Sequence, residues 1–143
     1  MKLDKSNCDF ECWVIKYGTK VFDVIYKDNC LHNEDGMLVP LCWNHIHDDP
    51  DSVLGTAVLE KRTGGIYAYC TLNNEHVKSD VIKMLRDKGS VSLSPYVNRV
   101  KYDTHSEYGK TFIVDGVIRE VSLVPARIDP DEAYYPVLNS ELG

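Results

Sequence analysis

The stretch VPLCWNHIHDDPDSVLG, from Val39 to Gly55, sets two histidines and several acids directly after an apolar run. Three chemistries are open to it. His45, His47 and Asp49 make an HxHxD opening, and imidazole with carboxylate suits zinc or iron. The longer HxHxDH form continues with a histidine, where this chain has Pro50, and His32, His76 and His105 fall in loops or on a helix surface. Cys42 lies close to His45 and could act as a thiolate, although a cysteine in an apolar run is more often an inert buried thiol. The third chemistry is a serine relay. An imidazole takes the hydroxyl proton and returns it to the leaving amine, while a carboxylate fixes the ring's tautomer. His45 at a strand end, Ser94 within a later strand and Glu120 on a third could supply it. Spacing alone does not choose among the three.

The elements that would position these residues are mostly strands. VFDVIY (Val21 to Tyr26) is β-branched and aromatic, and MLVPLCW (Met37 to Trp43) is apolar, with Pro40 pointing to an edge or a bulge. VLGTAVLEKR and GIYAYCTL flank Thr63-Gly64-Gly65 and predict a hairpin. Its second strand sets Ile66, Ala68 and Cys70 on one face and Tyr67 and Tyr69 on the other. In NNEHVKSDVIKMLRDKG the period becomes helical through Val77, Val81, Met84 and Leu85. Asn73 or Asn74 caps its start and Gly89 its end.

After the helix, SVSLSPYVNRVKY puts Ser90, Ser92 and Ser94 on one strand face. HSEYGK reads as a turn. TFIVDGVIREVSLVPA predicts two strands broken at Asp115-Gly116, with Ile118, Glu120 and Ser122 sharing a face. The tail RIDPDEAYYPVLNSELG reads as an irregular arm, not a core element. The expectation is one α+β, mostly β domain over residues 1–143, plausible as a small barrel, with 127–143 as the arm.

The 143 residues are enough for one domain with a real core. A net charge of -6 with scattered Lys and Arg argues against a nucleic-acid partner. No apolar run approaches the roughly 20 residues that span a bilayer. MKLDKSNCDFEC lacks the apolar core of a secretory signal, so a soluble cytosolic protein is expected. The five cysteines then read as buried reduced thiols. Cys8 and Cys12 form a lone CxxxC with no second pair at zinc-finger spacing.

Three blocks in order, VPLCWNHIHDDPDSVLGTAVLEKRTGGIYAYCTLNN, GSVSLSPYV and VIREVSLVPARIDP, resemble the prohead proteases of tailed phages, which are related to the herpesvirus assemblins. The resemblance covers roughly Val39 to Pro130. It implies a compact β-barrel-like domain with one or two flanking helices, acting as a serine endopeptidase inside the immature capsid in the host cytoplasm. The implied substrate is the scaffold protein or the scaffold-like region of the major capsid protein. Self-cleavage and a homo-oligomer also fall within it, and it calls for no cofactor, metal, nucleic acid or membrane.

Residue by residue, the histidine after Trp43-Asn44 matches the family's base, which is His45, with His47 as the fallback. The serine of SLSPYV that matches the nucleophile is Ser94, with Ser92 and Ser90 as alternatives. Glu120 of REVSLV matches the third member, with Asp48 as the other acid. One departure stands out. Many members carry an aliphatic residue after the serine, and here Pro95 has no N–H to offer an oxyanion. Arg99, Arg119 and Arg127 are the replacements the sequence offers. Pro95 and the short tail also leave open a catalytically inactive capsid-assembly or scaffold module. A metal-dependent hydrolase using His45, His47 and Asp49 is the third reading.

Overall fold

In the computed structural model the described residues are 7–21, 24–46, 49–87, 91–103, 111–125 and 134–139. They form an α+β, mostly β fold, with nine strands in one curled sheet and one helix. The strands are β1 (Phe10–Lys16), β2 (Lys20–Val21), β3 (Val24–Tyr26), β4 (Leu38–Trp43), β5 (Val53–Arg62), β6 (Gly65–Leu72), β7 (Val91–Tyr102), β8 (Thr111–Pro125) and β9 (Val137–Leu138). The helix α1 spans Glu75–Arg86. Its end groups are satisfied locally, since the Asn74 side chain accepts the Val77 N–H at 2.9 Å and Lys83 and Arg86 lie in the last turn. Val81 and Leu85 bury its apolar stripe. None of the described helices is long and apolar enough to cross a membrane.

β8 is the spine of the sheet. β7 runs antiparallel along one edge, from Val91 opposite Pro125 to Tyr102 opposite Ile113. The other edge is filled in turn by β3, an isolated bridge at Leu31, and β4, all parallel to it. β4 continues through the β5–β6 hairpin to β1 and β9. Gly64, with φ +90, turns that hairpin as its sequence predicts. Its β6 strand divides two apolar clusters. Ile66, Ala68 and Cys70 enter the main core, while Tyr67 and Tyr69 pack with Cys8 and Trp13.

Three expectations need correction, and one strand was not expected. Val21 to Tyr26 is not one strand, because β2 and β3 fold back on each other with Val21 opposite Val24. β8 does not break at Asp115-Gly116. Gly116 is instead a close approach, where an added Cβ would lie 2.6 Å from Val97 Cγ1 of β7. The tail is not wholly an irregular arm. β9 pairs with β1, Leu138 is buried in the main core, and the Leu93 N–H donates to the Tyr134 carbonyl at 2.9 Å. Residues 134–138 thus bridge β1 to β7 across the open side of the curled sheet. Finally, β1 went unread, although Phe10, Cys12 and Val14 alternate into the core at strand period. Gly89 and the HSEYGK turn lie outside the described residues.

Candidate active site

Three neighbouring strands build the site. Cys42 of β4 and Ser94 of β7 both lie opposite Ser122 of β8. The three positions form one row, and residues in a row share a face. Glu120 stands two residues from Ser122 on that same face. The site therefore has an acid on the spine, a hydroxyl on the strand to one side, and a histidine just past the end of the strand to the other.

His45 reaches its place through a tight turn. The Ile46 N–H donates to the Trp43 carbonyl at 3.0 Å, and Asn44 and His45 both have positive φ, 52° and 59°. Left-handed backbone is unfavourable for a residue with a Cβ, by roughly 1–2 kcal/mol. β8 holds the turn against that strain. The Asn44 N–H donates to the Leu123 carbonyl at 2.9 Å, and the His45 N–H to Ser122 Oγ at 3.0 Å.

Both ring nitrogens of His45 are engaged. Nδ1 lies 2.7 Å from Glu120 Oε1, and Nε2 lies 3.0 Å from Ser94 Oγ. The Ser122 hydroxyl accepts from the His45 backbone, so its own proton goes to Glu120 Oε1, 2.6 Å away. Glu120 as the ionised carboxylate satisfies both contacts, taking the Nδ1 proton as well. That tautomer leaves Nε2 bare, facing the Ser94 hydroxyl. The carboxylate is 4% exposed and the imidazole 31%. The acid is therefore shielded from water while the base stays accessible.

The other candidate residues that are described do not join this group. Ser92 shares Ser94's strand face, but its Oγ is buried with no hydrogen-bond partner among the described residues, so no base activates it. Cys42 is fully buried, and burial, with Glu120 a lesser cause, pushes its thiol pKa up and away from the thiolate. Asp49 is exposed and caps the short turn Pro50–Ser52 by accepting the Asp51 N–H. Among the described residues no three His, Cys, Asp or Glu side chains gather as a metal site. All five cysteines are buried and unbridged. His32 pairs with Asp115 on the surface, and His76 lies exposed on α1. His47, Asp48, Ser90, His105 and Arg127 lie outside the described residues.

Pro95 has a structural reason. The Leu93 N–H points away from β8, toward Tyr134, and an antiparallel ladder alternates residue by residue. The missing N–H of Pro95 would point the same way, so the β7–β8 ladder loses no bond. Of the three candidate arginines, Arg99 and Arg119 lie among the described residues. Arg119 is exposed and sits at a β8 bulge between Ile118 and Glu120, and Arg99 lies five residues after Ser94 in β7 with left-handed backbone.

Ser122 is the functional residue that the sequence reading missed. Its signal was present, since it shares the period-two face of Glu120. Ser122→Ala is expected to cost about 1–3 kcal/mol of stability by orphaning the His45 N–H and removing a donor to Glu120. Urea unfolding checks this, and wild-type stability would show that the turn stands without it. No protein-family model, curated protein or solved structure matches the chain.

Proposed function

We propose that this chain is a serine endopeptidase of the phage head-maturation type. One observation carries the chemistry: the continuous relay from Ser94 Oγ through His45 to the buried carboxylate of Glu120. In this mechanism Ser94 Oγ attacks the scissile carbonyl carbon, and its proton passes to Nε2. The imidazolium that forms is stabilised by Glu120 through Nδ1–H. Nε2 then protonates the leaving amine, the C–N bond breaks, and an acyl-enzyme remains on Ser94. Water, deprotonated by Nε2, hydrolyses that ester and restores the serine. The substrate class rests on the sequence resemblance: the scaffold protein or the scaffold-like region of the major capsid protein, inside an immature shell.

Pro95 favours a second reading, a non-catalytic capsid-assembly module, because the residue after the serine cannot stabilise an oxyanion through its amide. A fluorophosphonate probe separates the two. The peptidase reading expects a single adduct, mapped by peptide mass spectrometry to the peptide carrying Ser94. A chain that stays unmodified while a known serine hydrolase in the same tube is labelled would favour the assembly module.

A further inference from the structure

A cavity of about 100 Å³ opens beside the nucleophile, and Ser94 is the residue that it shares with the relay. Leu93 and Pro95, which flank Ser94, line it, together with Val14, Val24, Tyr26 and Tyr134. Val14 and Leu93 are fully buried core residues, so its floor is rigid. None of its described lining residues is charged. It lies at the seam between β1 and β7, on the opposite face of β7 from His45. A polypeptide crossing the β7 edge with a carbonyl at Ser94 Oγ directs successive side chains to alternate faces.

Building on the peptidase reading, we infer that this cavity is the specificity subsite, and that it receives a small aliphatic side chain adjacent to the scissile bond. Size sets the class. An apolar cavity of roughly 150 Å³ accommodates a benzene ring. A cavity of about 100 Å³ is too small for an aromatic side chain and suits alanine, valine or leucine. An acidic or basic side chain would lose its hydration there and meet no opposite charge among the described lining residues.

The test uses p-nitrophenyl esters of acetate and of N-acetylated alanine, valine, leucine, phenylalanine and aspartate. In each, the Ser94 Oγ–acyl bond forms, the ester C–O bond breaks, p-nitrophenolate leaves, and the hydroxyl proton passes to His45 Nε2. Rates are corrected for each ester's reactivity with hydroxide and for the Ser94→Ala background. The valine or leucine ester is expected to exceed the phenylalanine and aspartate esters by at least tenfold, the discrimination that a methylene-sized mismatch gives in an apolar pocket. Val24→Phe, which fills the cavity, should lower the valine-to-acetate rate ratio at least tenfold. Acylation above background with equal rates across the side chains would overturn the subsite and leave the serine chemistry standing. Failure of every ester, acetate included, to exceed the Ser94→Ala background would overturn both.

Discussion

Co-expressed with a tailed-phage major capsid protein as the proposed substrate, the Ser94→Ala chain is expected to leave that protein at full mass. On the peptidase reading, the wild type is expected to convert it to a discrete shorter form. The reason lies in the relay. Ser94 Oγ is the atom that His45 Nε2 contacts, and Ser92, the other described serine on its strand face, is buried without a base. Removing one hydroxyl leaves no other base-paired serine on that face among the described residues, so residual cleavage should fall to background. The fold should survive, because Ser94 is only partly buried and alanine fits a strand. Intact-mass analysis of the capsid protein reads the first point, and thermal unfolding of the variant the second. Capsid protein cut equally by both chains would remove Ser94 from the mechanism. Capsid protein uncut by both, in assembled shells, would favour the assembly module.

Glu120→Gln is expected to lower the cleavage rate by roughly 10³–10⁴-fold with little change in stability, the scale seen when a triad carboxylate becomes an amide. Glutamine keeps the shape and can still receive the Ser122 hydroxyl. It cannot stabilise the imidazolium that forms as Ser94 attacks. Its amide N–H₂ can also donate to Nδ1, which drives the ring proton onto Nε2, where it faces the serine it should deprotonate. Loss of a buried carboxylate removes a desolvated charge, so unfolding in urea should shift little. Cleavage within about tenfold of wild type would reduce Glu120 to a structural role.

Much of the local structure was legible. The hairpin turn at Gly64, the helix with its Asn74 cap, and the shared face of Glu120 and Ser122 follow from turn chemistry and periodicity. The site was not legible from periodicity. His45, Ser94 and Glu120 were singled out by resemblance. What brings them together is the pairing of β8 with β4 on one side and β7 on the other. A parallel pair such as β4–β8 leaves no local signature, since its register depends on residues about eighty positions apart. The left-handed backbone at His45 is equally invisible, because the Ser122 hydroxyl that holds it comes from β8. Gly116 misled for a related reason. A glycine that admits Val97 looks, in one dimension, like a glycine that makes a turn.

The bridge that residues 134–138 make between β1 and β7 has a kinetic consequence. Phe10 pairs with Leu138, and Leu93 with Tyr134, so the seam is closed by partners separated by most of the chain's length or by some forty residues. Contacts so distant in sequence incur their loop-closure entropy before they return any stability, and they form late. Until they form, β1 and the strand bearing the nucleophile each present an unpaired edge to other chains. Pro95 already stands on one of those edges, where it withholds a backbone donor from an intruding strand. Late closure of the seam makes the wall of the cavity beside Ser94 one of the last parts of the molecule to be built.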